Sequence, residues 1–189
     1  MVLIGGTSHT GKSTVARAVA DRLGFGCLST DGLARHPGRP WPTPDWQVPP
    51  HVDEHYRSLT VDELTTHARA EPDTAGLVLE GSALWPASGV RLAVPHTAAV
   101  WLTADEGVLT ARMHASCHYD RLPARDRLPV DRFLARTLRY RTMLLDSVAR
   151  LRPDHIDTST DRSPEDLVEA VPAAAEAQVG VGRTATRSS

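Results

Sequence analysis

The sequence predicts an α/β fold built on a parallel sheet, and three features support this prediction. Short apolar segments alternate with segments of helical periodicity along most of the 189 residues. The first apolar segment runs directly into a glycine-rich loop, and a helical pattern follows that loop at once. Strands separated by helices form parallel sheets that helices cover on both faces. The length and the 41% hydrophobic content suit one domain with one sizeable core.

Five segments have the length and composition of strands in such a sheet. In chain order they are Val2–Ile4, Phe25–Leu28, Leu77–Gly81, Ala98–Leu102 and the short His155–Asp157. Cys27 lies inside the second of these apolar runs and is therefore expected to be buried in the core.

Helices are predicted between the strands. In the first, Val15, Val19 and Leu23 recur at i, i+4 and i+8, and Gly24 follows as a C-terminal stop. Further helices are expected at about 60–70, 105–114, 130–151 and 164–176. The polar, small-residue-rich tail 173–189 is expected to be flexible.

Residues 6–13 read GTSHTGKS, a complete G-x-x-x-x-G-K-[ST] phosphate-binding loop in the strand–loop–helix context that the motif requires. Lys12 is the only lysine in the chain; all the other residues in the Lys+Arg count of 21 are arginines. Lysine is thus kept at the one position where a compact ammonium must reach nucleotide phosphates. A glycine-rich turn that fits the pattern by chance is the alternative.

The motif requires particular residue types at particular loop positions for chemical reasons. Gly6 and Gly11 allow the backbone N–H groups to converge on phosphate oxygens, and the following helix adds its positive N-terminal end. Lys12 would neutralise charge on the transferred phosphoryl group, and the Ser13 hydroxyl would bind Mg²⁺. His9 is expected to be part of the loop without a catalytic role. The predicted nucleotide-binding residues here are Gly6, Thr7, Ser8, His9, Thr10, Gly11, Lys12, Ser13 and Thr14.

Composition and charge narrow the class of protein. A net charge of −2 argues against a general nucleic-acid binder, and no apolar run approaches the ~18 residues of a membrane helix. The apolar start is too short for a signal peptide, so we expect a cytoplasmic protein. The charge is uneven, however, because residues 112–152 carry ten arginines and four acidic residues.

Taken together, these segments resemble the small P-loop kinases, the group that includes shikimate kinase, gluconate kinase, chloramphenicol phosphotransferase and nucleoside monophosphate kinases. The resemblance covers residues 1–172 and is closest to bacterial proteins described as 2-phosphoglycerate-kinase-like or cytidylate-kinase-like. It implies a P-loop NTPase-type three-layer sandwich whose five parallel strands lie in the order 2-3-1-4-5, with a lid. It also implies ATP and Mg²⁺ as cofactors and a small-molecule acceptor as partner.

Two acidic residues follow strands and are candidates for the chemistry. By resemblance, Asp31 orients the acceptor hydroxyl and accepts its proton, although Ser29 to Gly32 could equally form a helix cap or turn. Glu80 ends the third strand, where an acid serves either the metal or the substrate, or is merely solvated. Gly81 would let the backbone pass close to a ligand.

Residues 31–70 are expected to form an acceptor-binding insertion. Prolines and two tryptophans shape it as a cover rather than a floppy loop. It carries more cationic side chains than a neutral sugar would require, which predicts an acceptor bearing a carboxylate or phosphate. The substrate-binding candidates are Asp31, Arg35, Arg39, His51, His55, Arg57, Glu80 and Gly81.

Residues 115–128 are expected to be the lid, with Ala115 to Arg127 as a polar loop. By resemblance, Arg112 stacks on the adenine, Thr158 belongs to the nucleotide site, and Arg121, Arg125 or Arg127 is catalytic. The helix after the lid is predicted to bury one face, formed by Phe133, Thr137, Tyr140, Leu144, Val148 and Leu151.

The sequence therefore favours transfer of the γ-phosphoryl group of ATP to a hydroxyl of a small anionic metabolite. A nucleoside monophosphate kinase is the first alternative, but residues 82–85 read SALW where those enzymes carry a proline–arginine pair. A nucleotide-dependent regulatory or ATPase module is the second. The acceptor, the choice of ATP or GTP and the oligomeric state stay open.

Overall fold

The protein has a single five-stranded parallel sheet. The structure, a computed structural model, describes residues 1–30, 76–87, 97–159 and 165–171. The strands are β1 (Val2–Gly6), β2 (Gly26–Ser29), β3 (Leu77–Gly81), β4 (Ala98–Thr103) and β5 (His155–Asp157). Their order is β2-β3-β1-β4-β5, and every neighbouring pair is parallel. Both the predicted strands and the predicted order 2-3-1-4-5 are confirmed.

Helices follow three of the strands within the described residues. They are α1 (Lys12–Leu23), α2 (Glu106–Cys117), α3 (Ala124–Leu151) and α4 (165–171), with a short 3₁₀ helix at Tyr119–Arg121. The predicted insertion 31–70, with its helix at 60–70, lies outside the described residues. The predicted tail 173–189 also lies outside them.

The core consists of two apolar layers, one on each face of the sheet. Alternate residues of a strand point to opposite faces, so neighbours in β1 enter different layers. On one face Val2 and Ile4 pack with α1 and α4, through Val15, Ala16, Val19, Leu167 and Val171. On the other face Leu3 packs with Leu79, Trp101 and the α3 residues Leu144 and Val148. The predicted three-layer sandwich is therefore confirmed.

Two predicted core positions are wrong. Cys27 is exposed, because β2 lies at the edge of the sheet and pairs only with β3. Leu151 is 43% exposed, because it is the last residue of α3 and lies beyond Val148, the last buried position of that helix.

The predicted polar loop from Ala115 to Arg127 is also wrong. Helix α2 continues to Cys117 and ends at His118, whose left-handed backbone (φ 52°) directs its N–H to the carbonyl oxygens of Ala115 and His114. Helix α3 then begins at Ala124 and runs through Pro129. Proline removes only one intrahelical donor, so it need not end a helix. The non-helical connection shrinks to residues 118–123, with a 3₁₀ turn inside it, which we call the α2–α3 corner.

At Gly81 the end of β3 lies against the residue that follows β2, Thr30. The Gly81 φ of 153° is a conformation that L side chains rarely adopt, and a Cβ atom there would collide with Thr30 Oγ1. Thr30 follows β2 directly and is fully buried. The close approach that the sequence predicted toward a ligand is thus made to a side chain of the protein itself.

Substitution of Gly81 by alanine should destabilise the fold. Overpacking and backbone strain together should lower the free energy of unfolding by roughly 2–4 kcal/mol. Gly107 is the matched control, because it lies in α2 and a Cβ there meets nothing within 4 Å. Gly107→Ala should stabilise by up to about 1 kcal/mol. Denaturant unfolding of both variants measures the difference, and equal stabilities would contradict this account of Gly81.

Candidate active site

The site lies at the carboxyl edge of the sheet, where ligands bind in open α/β folds. Its first element is the phosphate loop, residues 6–13, which is seated directly against β4. A Cβ atom at Gly5 would collide with the Trp101 indole, and one at Gly6 would collide with the carbonyl oxygen of Leu102. The Trp101 indole N–H in turn donates to the Leu84 carbonyl oxygen at 2.9 Å. The two glycines therefore fix the position from which the loop departs.

Inside the loop, one carbonyl oxygen organises the turn. The Thr7 carbonyl oxygen accepts from Thr10 Oγ1 at 2.9 Å and from the Lys12 ammonium at 2.6 Å. Lys12 is only 9% exposed, so its charge is held over the loop. Gly11 has a φ of 89°, and α1 begins at the next residue. The positive end of α1 and the Lys12 ammonium thus lie together, as binding of a phosphate chain requires.

Ser13 and Glu80 meet across the sheet edge. Ser13 Oγ donates to Glu80 Oε1 at 3.0 Å, and Glu80 is only 5% exposed. This pairing brings the predicted metal residues together, one from the start of α1 and one from β3. A hydroxyl and a carboxylate oxygen are hard ligands of the kind that Mg²⁺ prefers, so the residues fit this ion.

Arg112 joins the phosphate loop to the segment that follows β5. Its guanidinium donates to Thr158 Oγ1 at 3.1 Å, to the Thr158 carbonyl oxygen at 2.8 Å and to the His9 carbonyl oxygen at 3.3 Å. Thr158 is itself tied to β4, because its N–H and its hydroxyl both donate to the Thr103 carbonyl oxygen. The structure thus brings Arg112, Thr158 and the loop into one cluster.

His9 is the second link between the loop and α2. Its backbone is left-handed, with a φ of 63°. The His9 ring lies 3.1 Å from Ser116 Oγ through Nε2, and its edge faces Phe133 of α3 with a centroid separation of 6.5 Å. Partial burial, with Lys12 and Arg112 nearby, lowers the pKa of His9. The imidazole is therefore held neutral more strongly than an exposed one.

The α2–α3 corner is built around Tyr119. The Tyr119 ring stacks on His114 at 4.0 Å, and the Arg127 guanidinium lies over it at 5.3 Å. The Tyr119 hydroxyl donates to Asp131 Oδ1 at 2.6 Å. Arg127 also donates to the carbonyl oxygens of Leu122 (3.0 Å) and Asp120 (3.1 Å). Arg127 thereby holds the corner in shape.

The other two arginines of this region are differently placed. Arg125 is 86% exposed, and the one ion pair that it forms with a described residue is with its neighbour Asp126, at 3.6 Å. Arg121 is also exposed and borders an open cavity of about 380 Å³ beside His114 and His118. Within the described part of the chain, Arg121 makes no side-chain hydrogen bond or ion pair. Of the three predicted arginines, these two are therefore the ones whose charge is available to a ligand.

Several predicted site residues remain to be placed. Ser8 is half-buried in the loop, and Thr14 is exposed on α1. Asp31, which the sequence singles out for catalysis, is outside the described residues. So are the other acceptor-binding candidates Arg35, Arg39, His51, His55 and Arg57.

Three contributors were missed by the sequence reasoning. Ser116 binds the loop through His9, and Thr30 packs against Gly81. Arg141 is only 18% exposed; it donates to the Ala104 carbonyl oxygen at 2.6 Å and pairs with the carboxylates of Asp105 and Glu106. It thus fixes the start of α2 to α3. Its signal was present in the sequence, since it is an arginine set apart from the stripe at 132, 136 and 139.

Comparisons with solved structures agree with this architecture. A gluconokinase from Sinorhizobium meliloti 1021 is similar over 100% of this chain and 97% of its own, with a TM-score of 0.57 and 21% identity. A sugar kinase from Janibacter sp. HTCC2649 is similar over 95% and 96%, with a TM-score of 0.56 and 22% identity. The chain therefore has the fold of the small P-loop kinases. No family model and no curated protein matches the sequence.

Among the helices that the structure describes, none combines the length and the apolar character that crossing a bilayer requires.

Replacement of Glu80 by glutamine should weaken the metal site and leave the loop in place. The amide keeps an oxygen for Ser13 but loses the charge, so the apparent affinity for Mg²⁺ should fall by about 10–100-fold. Titration calorimetry with Mg²⁺ in the presence of ATP measures this affinity. Glu106→Gln is the control, because that carboxylate is 61% exposed and pairs with Arg141. An unchanged Mg²⁺ affinity in Glu80→Gln would remove Glu80 from the metal site.

Proposed function

We propose that this protein is an ATP- and Mg²⁺-dependent phosphotransferase that moves the γ-phosphoryl group to a hydroxyl of a small acceptor. The observation that carries the proposal is the convergence of Lys12, Ser13 and Glu80 on the phosphate loop. Its fold, shared with a gluconokinase and a sugar kinase, supports a small-molecule acceptor.

The residues divide the work of phosphoryl transfer. The backbone N–H groups of the loop and the first turn of α1 bind the β- and γ-phosphates, and Lys12 neutralises charge on the transferred group. Ser13 and Glu80 would hold Mg²⁺, which supplies further neutralisation of the phosphate oxygens when bound. Arg112 and Thr158 bind the nucleoside end. Asp31 orients the acceptor hydroxyl and accepts its proton.

The acceptor is proposed to carry a carboxylate or phosphate as well as its hydroxyl. The support is compositional: the segment 31–70 supplies Arg35, Arg39, His51, His55 and Arg57, and charge-assisted hydrogen bonds are the strong means of fixing an anion. Residues 115–128 act as the lid that brings arginines onto the triphosphate. We expect a cytoplasmic enzyme that acts on a metabolite or natural product rather than on nucleic acid.

Substitution of Lys12 by alanine tests the activity itself. Purified protein, ATP and Mg²⁺ are incubated with a library of hydroxy acids, sugar phosphates, nucleosides and antibiotics, and mass spectrometry detects the gain of one phosphoryl group. Wild type should phosphorylate at least one compound, and Lys12→Ala should lose at least ~10³-fold in rate because transition-state charge is left uncompensated. Arg22→Ala is the control, since Arg22 forms only an exposed ion pair with Glu169. Near-normal turnover by Lys12→Ala would refute the proposed mechanism.

The arginines of the lid should separate by role. Arg121→Ala or Arg125→Ala should lower kcat by about 10²-fold or more with little change in ATP affinity, since a lid arginine acts on transition-state charge. Neither should change thermal stability. Arg127→Ala should instead lower stability, because it leaves the carbonyl oxygens of Leu122 and Asp120 without their donor. This division of roles is wrong if Arg127→Ala lowers kcat but leaves thermal stability unchanged, while Arg121→Ala and Arg125→Ala keep the wild-type kcat.

A further inference from the structure

His9 has an unusual conformation for its place in the loop. A non-glycine residue with a positive φ is uncommon and costs roughly 1–2 kcal/mol, and such strain at a site is a reason to ask what the residue does. The surrounding contacts must offset this cost. Two of them come from the same face of α2, where Arg112 and Ser116 are four residues apart.

The proton in the His9–Ser116 contact can be placed. Ser116 Oγ lies 2.8 Å from the Met113 carbonyl oxygen. A separation of 2.8 Å between two oxygens indicates a hydrogen bond. A carbonyl oxygen can only accept, so the Ser116 hydroxyl donates to the Met113 carbonyl oxygen. Ser116 Oγ must then accept from His9 Nε2–H. The lowered pKa of His9 agrees with a neutral ring.

His9 therefore makes three contacts with two helices, α2 and α3. Its carbonyl oxygen accepts from Arg112, its Nε2–H donates to Ser116, and its ring edge meets Phe133 of α3. The phosphate loop is thus fixed to α2 at two points one helical turn apart. The corner that carries Arg121 begins directly after the end of α2 at Cys117.

We infer that His9 is a positioning residue that fixes the phosphate loop against α2 and α3, and thereby sets where Arg121 of the α2–α3 corner stands relative to the phosphates. This inference rests on the proposed function for its catalytic consequence. A small displacement of a charge-stabilising group can cost up to about 10²-fold in rate. The binding of ATP to the loop needs no such alignment and should change little.

Two variants break the contact from opposite sides. His9→Gly removes the imidazole, keeps the carbonyl that Arg112 binds, and adopts the left-handed backbone without strain. Ser116→Ala leaves the loop sequence intact. Thr110→Ala is the matched control, because Thr110 lies on α2 and its hydroxyl donates to the Glu106 carbonyl oxygen of its own helix.

His9→Gly and Ser116→Ala should each lower kcat by about tenfold or more, with the KM for ATP changed by less than about threefold. The double variant should be no slower than either single variant, because both remove one shared interaction. Thr110→Ala should behave as wild type. Normal kcat in both single variants, or fully additive losses in the double variant, would overturn the inference.

Hydrogen exchange measured by mass spectrometry tests the His9–Ser116 contact, which we call the clamp, without any phosphoryl transfer. His9→Gly and Ser116→Ala should both speed exchange of the backbone amides in residues 6–13 and 118–123, whereas Thr110→Ala should not. If Ser116→Ala leaves exchange in 6–13 unchanged, the clamp does not exist. A wild type that transfers no phosphoryl group would refute the proposed function alone, since exchange would still report on the clamp.

Discussion

The close approach of backbone to side chain at the carboxyl edge of the sheet is the constraint on which the site depends. Gly5 and Gly6 let the end of β1 lie against Trp101 and the Leu102 carbonyl oxygen, and Gly81 lets the end of β3 lie against Thr30. Any larger residue would push these strand ends apart. Because they stay together, Ser13 at the start of α1 comes within hydrogen-bond distance of Glu80 on β3.

The arginine-rich composition also has a structural explanation. Arg112, Arg127 and Arg141 each donate to backbone carbonyl oxygens, where a planar guanidinium can form several directed bonds at once. These three clamp the loop, the corner and the start of α2. Lysine provides a compact charge instead, and the chain uses it once, at Lys12. Three of the ten arginines in the positive segment 112–152 therefore serve architecture.

The strands and the phosphate loop could be predicted because their signals are local. Apolar runs mark buried strands, and the G-x-x-x-x-G-K-[ST] motif specifies its own backbone geometry. The start of α3 could not be predicted, because Pro129 and the polar residues before it have the composition of a loop. The contacts of Tyr119 and Arg127 that hold this turn are visible only in three dimensions.

The site itself was predictable in part. Arg112 is found with Thr158, which follows β5, and Ser13 at the start of α1 meets Glu80 near the end of β3. Ser116 could not be foreseen: its partner is 107 positions away, and a serine near the end of a helix carries no motif. Likewise, the contact of Gly81 with Thr30, the residue after β2, is visible only in the folded chain.

The uniqueness of Lys12 allows the central claim, that nucleotide phosphates bind on this loop, to be tested directly. The only amines open to an acylating reagent are Lys12 Nζ and the α-amine of Met1, each of which reacts through its deprotonated form, and Met1 serves as the internal reference. The rates of both acylations are measured by mass spectrometry with and without Mg²⁺ and ATP. We predict that nucleotide at about ten times its Kd slows acylation of Lys12 by about tenfold, because only the unliganded fraction, 1/(1 + [L]/Kd), can react, and that acylation of Met1 is unchanged. Equal rates at Lys12 with and without nucleotide would contradict it.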